Sequence, residues 1–343
     1  MNWRHAHRLA MLKAAHLHRV DGIVSNQQVD VFGAIDRSGI LLGFQPFPKL
    51  SGAYFNEPGA QVGIVINSNH SAGRQRFTAA HEFGHHVFEH GTKIDSERPE
   101  IDLWTSEGSS DDEKVAEAFA AWFLMPPQLV RSTLASFQLA KPDRPLDVYL
   151  LSLRLGTSYE ATARHLGNLG YGTPVKVEQW LKYSPAELKR MAGGPWVPSN
   201  LRNDVWVLGA RDVDATVVVH PGDRIMLHLP EIPSAGYAWQ LNGEPSMLKL
   251  IGNDYLTTDG NLLEASADVS KMQLSALEVA VGDSLQRRFI FEVESASKKS
   301  ASSIGLSKAR PWVPDHKVDS LRIDLVIEPL QRGVPERYFT QAA

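Results

Sequence analysis

His81-Glu82-Phe83-Gly84-His85 reads H-E-x-x-H. On a helix, positions i and i+4 share a face, so both imidazoles can reach one ion while Glu82, beside them, holds the water bound to it. Zinc lowers the pKa of such a water toward ~7 and polarises a scissile carbonyl, which matters because hydroxide is scarce at neutral pH. Glu82 would take the proton and later pass it to the leaving amine. Three fixed positions in five recur by chance, so the surroundings carry the weight. Phe77 and Phe88 share the face, where two imidazoles and a carboxylate are expensive to place without a purpose. Gly84 admits a close neighbour.

A catalytic zinc has three protein ligands and an open position. The third ligand must come from elsewhere, and Glu113 and Glu117, one helical turn apart, are the candidates. Glu113 has a second explanation, because Ser110-x-x-Glu113 is a capping box. Glu117 can instead orient a ligand imidazole through its other ring nitrogen. His86 and His90 lie at i+1 and i+5 from His85. His86 points off the ligand face and reads as exposed or helix-capping. Tyr54 is a possible donor to the oxyanion that forms during attack, a role the sequence does not assign.

The elements that must position these groups follow from period and punctuation. A helix is expected over Arg8–Arg19, with Leu9, Leu12, Leu17 and Val20 as its apolar face, and another over Gln27–Asp36. Strand-length apolar pieces lie at Ile40–Phe44, Gly52–Phe55 and Val62–Ile66. The motif helix spans Arg74–His90, and the next runs from about Ser110 through Leu124 to the stop at Pro126-Pro127. A helical region extends to about Met191, and Gly193–Pro198 reads as a linker. From Asp204 onward the pieces Val205–Leu208, Thr216–Val219, Arg224–Leu229, Leu285–Val293 and Leu321–Ile327 are β-branched or alternating. They suggest an antiparallel sandwich, with Ser295–Ser303 as a mobile loop. The division expected is 1–195 and 203–335.

Composition narrows the class. The 343 residues carry 35 Lys plus Arg against 39 Asp plus Glu, a net charge of -4, so the basic excess of a nucleic-acid binder is missing. Arg154, Arg164 and Lys176 make too small a basic face for Thr157–Tyr171, which has a helix-turn-helix look, to bind DNA. Cysteine is absent. That excludes disulfides and thiolate ligands or nucleophiles and fits a cytoplasmic protein. No signal-like stretch follows Met1–Arg19, and no run approaches the ~18 apolar residues of a membrane span. The histidines at 5, 7, 16 and 18 read as surface or helix-flank residues.

Residues Gly52–Pro126 resemble the ImmA/IrrE family of metallo-endopeptidases. The likeness rests on Gly52-Ala53-Tyr54, on Ile64-Val65-Ile66-Asn67, on Arg74 through His85, and on Glu113 followed by Ala116 and Phe119 through Pro126. It implies an α+β zincin-like domain with zinc held by His81, His85 and Glu113 (Mn2+ being an alternative ion) and with Glu82 as general base. It also implies cleavage of a repressor, with helix-turn-helix proteins as the candidate class, in a bacterial or phage cytoplasm during stress responses or mobile-element induction. Glu117 stands where the family usually shows Asp or Asn.

Residues 204–328 resemble the chagasin-type inhibitors of cysteine peptidases, which are all-β immunoglobulin-like sandwiches. The likeness rests on Pro221-Gly222-Asp223, on Pro233-Ser234-Ala235-Gly236-Tyr237-Ala238-Trp239, and on Arg310-Pro311-Trp312. It implies partner contacts through Gly236, Tyr237, Arg310 and Trp312. The Asn and Thr residues of the first inhibitory loop are replaced, and the glycine-rich middle loop is not evident between Asp268 and Asp283. A recognition or regulatory module is therefore expected ahead of a tight inhibitor. The leading reading is a zinc endopeptidase with a C-terminal binding domain. The alternative is a partner-binding or inhibitor-like protein with a quiet metallopeptidase domain, against which the intact Glu82 argues.

Overall fold

The motif helix is positioned by a small sheet on one side and a second helix on the other. The computed structural model describes residues 1–23, 27–96, 110–213, 215–256, 262–263, 285–310 and 312–335, and these fall into two compact units, one of residues 1–185 with the segment from Leu330 onward, the other of residues 186–329.

In the first unit, helices α1 (Trp3–Val20) and α2 (Val31–Arg37) precede strands β1 (Leu41–Gln45), β2 (Leu50–Phe55) and β3 (Gly63–Asn67). Helix α3 (Ala72–Val87) carries the motif, and strand β4 (Lys93–Ser96) follows it. The sheet order is β1-β3-β2-β4, with β1 parallel to β3 and the other pairs antiparallel. Ile64 and Ile66 of β3 and Ala53 and Tyr54 of β2 are buried, as are Phe77, Ala80 and Phe83 of α3. Helix α4 (Asp111–Leu124) starts at Ser110, whose hydroxyl accepts from the Glu113 amide at 3.3 Å. Helices α5 (Pro127–Ser136), α6 (Pro145–Leu155), α7 (Tyr159–Asn168) and α8 (Pro174–Leu181) complete the helical region of this unit, and α9 (Pro185–Gly193) opens the second.

Two local expectations change. The buried stripe of α1 is Ala6, Ala10 and Ala14, while Leu12 and Val20 are exposed. Alanines four apart give a flat face that lies against α4, where leucines would hold the helices apart. Helix α2 starts at Val31 because the Asp30 side chain caps it, accepting from the Gly33 amide at 3.0 Å. The helix-turn-helix look over 157–171 resolves into α7, which buries Tyr159, Ala161, Thr162, Ala163, His165 and Leu166.

The second unit is β-rich. Strands β5 (Val205–Leu208), β6 (Thr216–Val219), β7 (Arg224–Glu231), β8 (Ala238–Leu241), β9 (Leu248–Leu256), β10 (Leu262–Leu263), β11 (Leu285–Val293), β12 (Ser300–Arg310) and β13 (Val313–Ile327) form two sheets. Their orders are β10-β9-β11-β7-β5 and β6-β13-β12-β8. The pairs β5/β7 and β6/β13 are parallel and the rest antiparallel. Ser300–Ser303, expected within a mobile loop, opens β12, because Ser302, Ile304 and Leu306 alternate inward against β13. Gly193–Pro198, expected as a linker, belongs to this unit: it holds a 3-10 turn, and Trp196 donates its indole N–H to Asp254 at 2.9 Å. Beyond β13 the chain rejoins the first unit, where Gly333 and Phe44 of edge strand β1 exchange both backbone hydrogen bonds at 2.8 Å. Among the described residues no helix is long and apolar enough to cross a membrane.

Two predictions follow from the packing of α4. A Cβ at Gly84 would sit 3.0 Å from Ala116 Cα and 3.1 Å from the Phe119 ring. Gly84→Ala should therefore force α3 and α4 apart and destabilise the first unit by roughly 1–3 kcal/mol, which urea denaturation measures. Helix α4 is also ringed by neutral histidines. His7 accepts from the Trp122 indole at 3.1 Å, and His18 Nε2 and His165 Nε2 lie 2.8 and 3.0 Å from the carbonyls of Phe123 and Met125. Burial lowers the pKa of all three, that of His165 to about 3. Folded, each binds fewer protons than when unfolded, so stability is full above ~6.5 and is lost as pH falls from there toward 3. Denaturation of the metal-free protein between pH 7 and 4 should show that slope. His165→Gln should flatten it by up to about 1.4 kcal/mol per pH unit.

Candidate metal centre

The two motif histidines sit one turn apart on α3 and are buried, His85 completely and His81 to 4 % exposure. Their Nε2 atoms face each other at 3.2 Å. The carboxylate of Glu113, in the first turn of α4, closes the triangle, with Oε2 3.3 Å from His81 Nε2 and Oε1 3.6 Å from His85 Nε2. Ser110 caps the Glu113 amide, so the serine half of the capping box exists while the Glu113 carboxylate faces the histidines. Ligand atoms ~2.0–2.1 Å from a tetrahedral ion stand about 3.3 Å apart. The two Nε2 atoms stand at that spacing, each Glu113 oxygen approaches a different imidazole at 3.3 and 3.6 Å, and the donor set of two imidazoles and a carboxylate suits zinc. Among the described residues this trio is the one group of His, Asp or Glu side chains whose donor atoms converge within 4.8 Å.

The electrostatics agree with a cation between them. Burial first, then the neighbouring His81, push the pKa of His85 down to about 2, with His90 and Lys93 acting in the same sense and Glu113 opposing. His85 thus keeps a lone pair available across the physiological range. Glu117 is buried one turn further along α4 and places Oε2 3.1 Å from His81 Nδ1, where it holds the imidazole with Nε2 toward the centre.

Glu82 is fully buried against β2. A Cβ at Gly52 would lie 2.6 Å from Glu82 Oε1 and 2.6 Å from the Thr78 methyl, so β2 needs glycine where it passes the carboxylate. Tyr54, two residues along β2, is buried, its ring stacked near His85 at 6.4 Å between centroids and its hydroxyl 3.2 Å from His86 Nδ1. That contact gives His86 a partner inside the unit, where an exposed residue was expected, and burial lowers its pKa. His90, left without a role by the sequence, places Nδ1 2.8 Å from His85 Nδ1. Asp112 and Lys93 stand behind it, Asp112 Oδ1 at 3.4 Å from His90 Nε2 and Lys93 Nζ at 3.0 Å from Asp112 Oδ2. No spacing rule pointed to these three, because a left-handed turn at Glu89 brings His90 back under the helix.

In the second unit the four candidate partner-binding residues meet at one end of the β12–β13 hairpin. The Arg310 guanidinium lies 4.9 Å above the Tyr237 ring. Trp312 is 67 % exposed. Gly236 has φ +73°, and a Cβ there would come within 3.0 Å of the Trp312 ring, so both conformation and space call for glycine. Trp239 is a core anchor, buried and donating its indole N–H to the Pro230 carbonyl at 3.1 Å.

Comparison with known proteins adds two family matches. Residues 35–166 match the IrrE N-terminal-like domain of peptidase M78, and residues 218–327 match the chagasin family peptidase inhibitor I42. The first match assigns a metallopeptidase-like function to its segment; the second describes a β-rich, chagasin-like domain suited to protein partners. No curated protein matches the chain. Among solved structures, the cysteine protease inhibitor EhICP2 from Entamoeba histolytica is 23 % identical, with 36 % of this chain and 96 % of that one covered and a TM-score of 0.26. Amebosin is 15 % identical over 36 % and 95 % of the two chains (TM-score 0.24). PbICP-C, in its complex with falcipain-2, is 12 % identical over 37 % and 90 % (TM-score 0.20). The chain thus carries two separate segments, 35–166 and 218–327, that match two different family models.

Proposed function

We propose that the first unit is a zinc-dependent endopeptidase of zincin-like type that cleaves a specific intracellular protein, a transcriptional repressor being the substrate class. In this reading the second unit, an immunoglobulin-like sandwich, recognises the substrate or a regulator. The observation that carries the reading is the convergence of one donor atom each from His81, His85 and Glu113 within 4.8 Å. Zinc held there would supply Lewis acidity toward the scissile carbonyl and toward the attacking water. The chain's own residues do the rest. Glu82, pinned by Gly52 and Thr78, takes the proton from the attacking water on its carboxylate and delivers it to the departing amine nitrogen. Glu117 fixes the tautomer of His81 by accepting from its Nδ1–H. Burial of the two imidazoles keeps bulk water from competing for their lone pairs.

The chagasin match favours a second reading, in which the stacked Arg310–Tyr237 pair and the exposed Trp312 enter a cysteine-peptidase cleft. The replaced first-loop residues weigh against it.

Zinc-loaded full-length protein, incubated with the helix-turn-helix repressors of its own cell, should release discrete fragments. A chelator should stop the reaction, and Glu82→Gln should slow it by roughly 10²–10⁴-fold while zinc affinity stays unchanged. Gly52→Ala should lower kcat with zinc still bound, because it displaces the Glu82 carboxylate. An undiminished rate in Glu82→Gln overturns the reading. For the second unit, the full chain should leave papain active at micromolar concentration. Nanomolar inhibition, lost in Trp312→Ala, would establish the inhibitor reading instead.

A further inference from the structure

We propose that His90 is a positioning residue for the metal centre: it fixes the ring and tautomer of His85 and, through Asp112, ties that ligand to the first turn of the helix bearing Glu113. The inference rests on the reading of His85 as a metal ligand.

Helix α3 ends in a turn that has no glycine. Phe88 N–H donates to the Gly84 carbonyl at 3.0 Å and His90 N–H to the His85 carbonyl at 2.9 Å, with Glu89 between them at φ +57°. This is the six-to-one bond of a helix end with a left-handed residue, a position where glycine is the usual occupant. A glutamate there costs on the order of 1 kcal/mol. The turn folds His90 back beneath His85, with ring centroids 5.1 Å apart and planes at 61°. His90 is mostly buried, its side chain 12 % exposed.

The hydrogen bond has one consistent proton arrangement when His85 binds through Nε2. That nitrogen faces His81 and Glu113, so the His85 proton sits on Nδ1 and is donated to His90 Nδ1, 2.8 Å away. His90 Nδ1 must then be bare, and the His90 proton lies on Nε2, toward Asp112 Oδ1 at 3.4 Å. The other oxygen of Asp112 accepts from Lys93 of β4 at 3.0 Å. Lys93, Asp112, His90 and His85 therefore form one line that joins the edge strand, the start of α4 and the end of α3. The two histidine ligands are supported unequally. His81 leans on a buried carboxylate, Glu117, whereas His85 leans on a neutral imidazole. A partner on the second ring nitrogen is typically worth 10–100-fold in metal affinity.

The test uses the full chain and zinc alone. Competition with a chromophoric chelator should give His90→Leu a zinc affinity 10–100-fold weaker than wild type. His90→Asn, whose amide oxygen can stand where Nδ1 stood, should restore most of the loss. In the zinc-loaded wild-type protein, long-range proton–nitrogen NMR of labelled histidines should show Nδ1 protonated at His85 and bare at His90. A folded His90→Leu that binds zinc like wild type, or a protonated Nδ1 at His90, overturns the proposal. If His90→Leu does not fold, the tautomer pattern alone decides. A wild-type protein that binds no zinc overturns the metal-centre reading, and this proposal with it. Wild-type binding left unchanged by His90→Leu overturns this proposal alone.

Discussion

The site depends on how closely α3 and α4 approach. His81 and His85 come from one helix and Glu113 from the other, and no local spacing can bring them together. Gly84 removes the side chain at the crossing, and Ala116 presents only a small surface opposite it. On its far side α4 meets the alanine stripe of α1, so small residues line both of its neighbours. Phe83, Phe119 and Phe123 then fill the wedge beyond the crossing, with ring centroids 5.3–6.0 Å apart. The pairing of small residues at the crossing and large ones beyond it sets the angle at which the first turn of α4 meets the motif.

That geometry carries an electrostatic cost. Three acceptor atoms are held within 4.8 Å of one another in a largely buried place, and two of them belong to buried imidazoles. Without a cation such a set gains little from its own proximity. With one, the same proximity becomes ligation, and binding energy becomes folding energy. The buried carboxylates around the centre follow the same logic. Glu117 is tolerated because it faces an imidazole N–H, while the absence of a side chain at Gly52 of β2 leaves the room that Glu82 occupies. In the proposed reading, metal affinity and stability of the first unit would rise and fall together with the crossing of α3 and α4.

The second unit solves a different problem. Its sheets enclose two buried ionic pairs: Arg288 with Asp254 at 2.6 and 2.7 Å, and Arg287 with Glu231 at 3.6 Å, the latter also accepting from the Tyr255 hydroxyl at 2.6 Å. Such pairs add little net stability but penalise any register that would separate them. They fix strands β7, β9 and β11 against one another. The rim outside this frame is where Trp312 and Arg310 stand exposed, and large aromatic and guanidinium groups held by stacking lose little entropy on meeting a partner.

What could be read from the sequence tracks how local each determinant is. The motif pair was legible because four residues on a helix is a local rule. From spacing alone Glu113 was one of two carboxylates, and the family resemblance singled it out; its carboxylate reaches the histidines because α4 starts at the Ser110 cap. Strands β1, β2 and β3 were found within a few residues because their apolar runs are bounded by proline and glycine. Strands β4, β8, β9 and β10 were missed: β8 opens inside the segment read as an inhibitor-type loop, β10 has two residues, and β9 has an irregular burial pattern with a shift of register opposite Ile290 and Phe291. Strand β12 was not read at all, since its opening serines look like a loop until their alternation against β13 is known. His90 was illegible for a sharper reason. Its place beneath His85 depends on a left-handed backbone at a glutamate, a conformation the residue type disfavours and the surrounding packing imposes. Where a sequence departs from its own local preference beside a reactive group, the departure itself marks a constraint from the site.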